Sequence, residues 1–114
     1  MTAEFKQRIH DAIGACRAIQ SFTAQVSFDD YSGNLMLRSA VERQFEILGE
    51  ALNRASELNP AILSSLPELR RIVGMRNRII HGYDAVDDEL VWDAIQHHIP
   101  PLLSALPDIL LSAD

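Results

Sequence analysis

The chain has 114 residues, which suits one domain, and we expect a single domain that spans residues 1–114. Apolar residues make up 47% and charged residues 23% of the chain, which is typical of a globular protein rather than a disordered one. Ten basic and sixteen acidic residues give a net charge of −6. This charge argues against binding of nucleic acid over the whole surface, although a local basic site remains compatible with it.

A single cysteine, Cys16, excludes an internal disulfide and a cysteine-based zinc site. Cys16 lies on an apolar helical stripe, which predicts a buried and inert thiol. The first residues lack the apolar run of a signal peptide, and no stretch of about 18 apolar residues is present to span a membrane. We therefore expect a cytoplasmic protein without membrane association.

Apolar residues recur at helical spacing wherever the pattern is regular, and no segment alternates as a strand would. This spacing predicts a first helix at about 3–22 and a long second helix at about 34–58. The turn-rich break between them, at 27–34, has room for one helical turn, and a short segment at 60–65 follows the second helix. The third helix is predicted at about 68–81 and ends at Gly82.

The fourth helix is predicted to begin at Asp87, Asp88 and Glu89, because negative charge favours a helix N-terminus. Pro100 and Pro101 are expected to break or kink it before the apolar pattern continues. The sequence thus predicts an all-α fold with four principal helices in an up-and-down bundle, the last one broken.

Arg76 interrupts the apolar pattern of the third helix. At about 100° per residue, apolar residues such as Leu69, Ile72 and Ile80 lie within about 60° of it on both sides. The wheel therefore predicts that the guanidinium projects from the middle of an apolar face. A buried guanidinium needs a counter-charge, since it cannot lose its proton.

Three kinds of partner could supply that counter-charge: a carboxylate of the second helix such as Glu46 or Glu50, a partner subunit, or an anionic ligand. Asn77 and His81 stand one helical turn apart on the adjoining edge, so the amide could orient the imidazole. Alone, His81 is more typical of a histidine stabilised by the helix dipole at a C-terminus.

Residues 74–83, Gly-Met-Arg-Asn-Arg-Ile-Ile-His-Gly-Tyr, resemble the signature of the HEPN superfamily, in which an arginine and a polar residue precede a histidine. The longer form Arg76-x-x-x-x-His81-x-Tyr83 resembles the HepT toxin family, the ribonuclease half of HepT–MntA toxin–antitoxin pairs. The likeness extends to residues 47–51 and 91–92, and so covers most of the chain. Residues 66–69 depart from the pattern, because relatives often have an aromatic residue after the proline.

This resemblance implies a HEPN-like bundle that cleaves RNA without metal or cofactor, by attack of the 2′-hydroxyl on the adjacent phosphate. It implies a homodimer in which two copies of the motif form one cleft. In that site His81 would act as the acid and base, Arg76 would clamp the phosphate, and Asn77 would orient a neighbour or contact the substrate.

Four arginines fall within nine positions of the third helix: Arg70, Arg71, Arg76 and Arg78. They could form a basic groove on an otherwise acidic protein. Arg70, near the His81 edge, is expected to contact an RNA phosphate, whereas Arg71 and Arg78 are expected to be merely solvated.

Tyr83 corresponds to the tyrosine on which an MntA-like nucleotidyltransferase installs AMP in the resembled family. Added phosphate would neutralise the arginines and fill the cleft, which silences the toxin. The alternative is an ordinary tyrosine packed at a helix end. The chain lacks a phosphate-cradling glycine loop, so it is not itself the transferase.

Asp93, His97 and His98 are interpreted as a solvated face rather than a metal site, because too few ligands are present. Two further interpretations compete with the ribonuclease toxin. One is a non-catalytic helical adaptor that docks a nucleotidyltransferase, and the other is a monomeric bundle in which Arg76 forms a buried ion pair.

Overall fold

The computed structural model describes residues 1–81 and 86–112, and for His81 it describes the backbone. Seven helices and no strand occur in this part of the chain. They are α1 (Ala3–Thr23), α2 (Phe28–Ser32), α3 (Leu35–Leu58), α4 (Ile62–Ser65), α5 (Leu69–His81), α6 (Asp88–His97) and α7 (Ile99–Ser112). The all-α prediction is confirmed, and helices α1, α3 and α5 begin and end within one residue of the predicted bounds.

Polar side chains set the starts of the main helices. The hydroxyl of Thr2 accepts from the backbone N–H of Phe5 at 3.1 Å, and the side chain of Asn34 caps α3 in the same way. Asp87 accepts from two backbone N–H groups of α6, as the acidic turn predicts. Each cap satisfies donors that the first turn of a helix leaves free.

The break in the last helix comes earlier than predicted. Helix α6 ends at His97, and α7 begins at Ile99, so Pro100 and Pro101 lie in the first turn of α7. Proline suits that turn because its missing N–H would have no helical partner there. The two prolines therefore start a helix instead of breaking one, and His98 forms the junction.

The core lies between α1 and its neighbours α3 and α7, and α3 also packs extensively on α5. Large side chains that are fully buried come from each of these helices and from the segments between them: Phe5, Ile9, Ile19, Tyr31, Phe45, Leu48, Leu52, Leu66, Ile72, Ile99, Leu102 and Leu106. With α6 and α7 counted as one broken helix, the four principal helices of the prediction are present. The long central helix α3 is thus the support on which α5 rests.

Three aromatic side chains fix the short helix α2 against α6. The ring of Trp92 lies 6.1 Å from that of Phe28 and 5.5 Å from that of Tyr31. Tyr31 is fully buried. The segment that was predicted as a turn-rich break after α1 therefore packs against the core through these aromatic contacts.

Cys16 is buried in the core, as its position on the apolar stripe predicts. Burial raises the pKa of its thiol to about 12, because the thiolate is poorly solvated there. We expect iodoacetamide to label Cys16 at about pH 8 at least a hundredfold more slowly in the folded protein than in urea. Intact mass followed over time measures both rates, and equal rates would contradict a buried thiol.

Candidate functional site

Helix α5 packs on the bundle with one face and leaves the rest of its surface open. Four of its apolar side chains are buried: Leu69, Ile72, Met75 and Ile79. Val73 is half-buried and Ile80 is 39% exposed, although both belong to the apolar arc of α5 that surrounds Arg76. Arg76 therefore lies among the apolar side chains of α5, but the bundle buries only one face of that apolar arc. Arg76 lies at the edge of that face, because the apolar arc of α5 is wider than the surface that the bundle covers.

The Arg76 guanidinium is held by two side chains. Its Nη2 donates to Oε2 of Glu50 on α3, and its Nη1 donates to Oδ1 of Asn77 at 3.1 Å. Nε is buried without a hydrogen-bond partner among the described residues. The Arg76 side chain is 24% exposed, whereas that of Glu50 is 66% exposed. Of the two carboxylates of the second helix that the sequence offered, Glu50 is the one that pairs with Arg76.

Gly49 explains how the stem of Arg76 comes so close to α3. Gly49 is buried, and a Cβ atom built on it would lie 2.5 Å from Cβ of Arg76. No other residue type leaves room for this approach, since all others carry a Cβ. The sequence does not predict the contact between Gly49 and Arg76, because nothing in the helical pattern around Gly49 indicates which helix packs against it.

Arg76 opens onto a cleft of about 310 Å³ between α1, α3 and α5. Its other basic side chains are Arg8 and Arg43, and each already has an acidic partner on its own helix. Arg8 lies 3.3 Å from Asp11 and Arg43 lies 3.1 Å from Glu46. The positive charge of this cleft is therefore balanced by carboxylates.

A second cleft, of about 350 Å³, runs along the opposite side of α5, next to α6. Arg70, Arg71 and Arg78 all line it, together with Asp93 and His98. Arg71 and Arg78 are exposed, as expected for solvated side chains, and they share this cleft with Arg70. No acidic partner within 4 Å is found for Arg70 or Arg78 in the described part of the chain.

The interpretation of His98 as part of a solvated face is wrong. Its side chain is 13% exposed, and Nδ1 lies against the carboxylate of Glu68. Nε2 lies 3.5 Å from Oδ2 of Asp93 and 3.4 Å from Nη1 of Arg71. His97, in contrast, is largely exposed. His98 therefore ties the junction of α6 and α7 to the start of α5.

Two predicted site residues fall partly or wholly outside the described residues: the side chain of His81, and Tyr83. Asn77 is exposed, and its amide oxygen accepts from Arg76. The structure thus brings Arg76 and Asn77 together and places Arg70 in the other cleft. Helix α5 carries the backbone of His81 as its last residue.

Residues 1–81 and 86–112, apart from the His81 side chain, contain no group of three or more His, Cys, Asp or Glu side chains arranged to hold a metal ion. No helix within these ranges is both long and apolar enough to cross a membrane.

A family model described as ribonuclease HepT-like matches residues 12–109. The chain belongs to the HepT-like family. A proposed RNase of Methanocaldococcus jannaschii is 28% identical over 87% of this chain and 90% of its own length. A proposed ribonuclease HepT of Thermococcus cleftensis is 31% identical over 90% of this chain and 92% of its own. A proposed RNase of Caldanaerobacter subterraneus is 33% identical over 75% of each chain. No solved structure matches the chain.

The family that residues 76–83 pointed to is therefore confirmed. The match includes α5 and the whole Arg76-x-x-x-x-His81-x-Tyr83 motif. In this HepT-like chain, one side of α5 presents Arg76, which is paired with Glu50. The opposite side of α5 lines the cleft that contains Arg70, Arg71 and Arg78.

Proposed function

We propose that this HepT-like protein is a metal-independent endoribonuclease and the toxin of a toxin–antitoxin pair. The observation that carries the proposal is the placement of Arg76. Its guanidinium is held in position by Glu50 and Asn77, yet it remains partly exposed, on the helix that bears the motif of the family. A permanent cation in that setting is suited to bind a phosphodiester and to stabilise the charge that develops when the bond is cleaved.

Each residue of the motif has a chemical role in this proposal. The RNA 2′-hydroxyl attacks the adjacent phosphorus, a base takes the hydroxyl proton, and an acid protonates the 5′-oxygen as its bond to phosphorus breaks. His81 acts as the acid or base, Arg76 stabilises the phosphorane, and Asn77 holds Arg76 and contacts the substrate. Cyclic phosphate and a free 5′-hydroxyl are the products, and no metal or cofactor takes part.

The reaction needs two proton-transfer groups, and one chain offers a single histidine in the motif. Positions 76 and 81 are about 140° apart around α5, so a single protomer presents them in different directions. A two-fold dimer supplies the second histidine, because an isologous interface brings the same surface of both chains together. The exposed Ile80 and the half-buried Val73 support an interface on α5.

Tyr83 is the proposed site of control. An MntA-like nucleotidyltransferase would transfer AMP to its hydroxyl: the tyrosine oxygen bonds to the α-phosphorus of ATP, pyrophosphate leaves, and the phenolic proton is released. The added phosphodiester places negative charge two residues from His81, beside a helix that carries four arginines. That charge would compete with RNA for the same cations.

The test is RNA cleavage in EDTA by protein whose intact mass shows no AMP on Tyr83. We expect cleavage of a single-stranded RNA and a dimer by light scattering. After incubation with ATP and a HepT-associated nucleotidyltransferase, the protein should gain the mass of AMP and lose activity. Intact RNA after incubation with unmodified dimer would overturn the nuclease proposal.

One observation favours a second candidate function. Arg76 already has a carboxylate partner in its own chain, as a structural ion pair would require. A non-catalytic adaptor that docks a nucleotidyltransferase is consistent with that pair. Such an adaptor would be dimeric and would accept AMP on Tyr83, but it would not cleave RNA in any modification state.

A further inference from the structure

The cleft between α5 and α6 has the features of an anion-binding groove. Arg70, Arg71 and Arg78 line one wall of it, and these are three of the ten basic residues in a chain whose net charge is −6. Arg70 and Arg78 have no acidic partner within the described ranges. The arginines of the opposite cleft differ in this respect, because Arg8, Arg43 and Arg76 are all paired with carboxylates.

Among the described residues, one carboxylate lines the α5–α6 cleft, that of Asp93, and it lies near two histidines. Oδ2 of Asp93 lies 3.5 Å from Nε2 of His98, and Oδ1 lies 3.9 Å from Nε2 of His97. His98 in turn lies against Glu68 and within 3.4 Å of Arg71. These contacts hold the far wall of the cleft and position Arg71. They leave the guanidinium groups of Arg70 and Arg78 available to a ligand.

Gly74 keeps the middle of the cleft open. It lines the cleft between Arg70 and Arg78, and a Cβ atom built on it would meet nothing within 4 Å. A ligand can therefore approach the backbone of α5 between the two arginines. The cleft volume of about 350 Å³ has room for parts of a nucleotide chain.

The register of α5 links this cleft to the proposed acid–base residue. Residues 70, 74 and 78 follow one another at four-residue spacing on one stripe of the helix. Position 81 continues that stripe, since eleven residues at about 100° each return to within about 20° of residue 70. A chain of phosphates that follows the stripe from Arg70 passes Arg78 after about 12 Å and reaches position 81 about 4.5 Å further on.

We propose that the α5–α6 cleft binds the backbone of single-stranded RNA, with Arg70, Arg71 and Arg78 as phosphate contacts on the path to His81. This inference rests on the proposed function and adds to it the route by which the substrate enters. At the two-fold interface of the proposed dimer, Arg76 and His81 act on the scissile phosphate, while the cleft holds the neighbouring phosphates of the strand. Binding would be largely independent of sequence, because phosphate contacts carry no base information.

The experiment measures binding of a fluorescent single-stranded RNA that is 2′-O-methylated throughout, so that the attacking hydroxyl is absent and cleavage cannot occur. Fluorescence anisotropy across a series of KCl concentrations gives the Kd and its salt dependence for wild type and for Arg78→Gln. We expect Arg78→Gln to weaken binding by about tenfold and to reduce the slope of log K against log salt by about 0.7, the value for one lost single-strand phosphate contact.

Arg17→Gln is the matched control. Arg17 is exposed on α1, and its replacement changes the net charge by the same amount without touching the cleft. We expect this variant to bind RNA like wild type, and circular dichroism should show that both variants fold. Equal losses in the two variants, or failure of wild type to bind the RNA, would overturn the cleft proposal.

Parallel assays with unmodified RNA in EDTA separate this proposal from the nuclease itself. If wild type cleaves RNA, and Arg78→Gln binds and cleaves RNA as well as wild type does, the cleft proposal is rejected and the nuclease proposal stands. If RNA binding depends on Arg78 but the unmodified wild type does not cleave RNA, the nuclease proposal is rejected and the cleft remains as an RNA-binding site.

Discussion

Replacement of Arg76 by alanine should lower the rate of RNA cleavage by about 10²–10³-fold, the range seen when one group that stabilises transition-state charge is removed. The fold should survive the change. Glu50, the carboxylate left behind, is 66% exposed and can be solvated, so the lost ion pair contributes little to stability. Initial rates on a fluorescent RNA in EDTA, with thermal unfolding followed by circular dichroism, measure both expectations.

Two further variants show what Arg76 does. Arg43→Ala removes another arginine from the same cleft, and we expect it to leave the rate nearly unchanged because Arg43 is paired with Glu46 and exposed. Glu50→Gln keeps the shape of the partner but removes its charge. If Arg76 acts on RNA, Glu50→Gln retains most of the activity that Arg76→Ala loses. Wild-type activity in Arg76→Ala would mean that the arginine forms a structural ion pair only.

Gly49→Ala should destabilise the fold by about 1–3 kcal/mol, the usual effect of overpacking a tight contact. The added Cβ would lie 2.5 Å from Cβ of Arg76, and a Cβ cannot rotate away, so α3 and α5 must move apart. We expect the melting temperature to fall by roughly 5 °C or more. RNA cleavage should fall too, because the shift moves Arg76 relative to Glu50.

Gly14→Ala is the control for that experiment. Gly14 lies within α1, is exposed, and has nothing within 4 Å of the position its Cβ would take. Both substitutions gain the helix propensity of alanine, which stabilises by about 0.5–1 kcal/mol. Gly14→Ala should therefore raise the melting temperature while Gly49→Ala lowers it. A rise in both would show that α3 and α5 adjust to the extra methyl group without strain.

Most of the fold could be predicted from local pattern. The periodic apolar residues define α1, α3 and α5 because a helix must bury one stripe, and the acidic turn at Asp87 predicts the start of α6. The position of the last break could not be predicted in the same way. Proline both ends one helix and starts the next, so Pro100 and Pro101 alone do not indicate which of the two occurs.

The candidate site was predictable in its residues but not in its geometry. A helical wheel shows which residues share a face, but it does not show how much of that face a neighbouring helix covers. For this reason Arg76 lies at the edge of the buried surface rather than in its middle. Likewise, the approach of Arg76 to Gly49 and the burial of His98 depend on contacts between distant segments, which no local pattern contains.

Helix α5 has its most extensive packing against a single neighbour, α3, and leaves its outer surface uncovered. A helix attached on one side opens locally at a lower free energy than helices that are enclosed by the core. Any molecule that covers the outer surface of α5, whether a second copy of the chain or a strand of RNA, therefore also stabilises the protein by mass action. Its resistance to unfolding and proteolysis should increase with its own concentration and with that of its ligand.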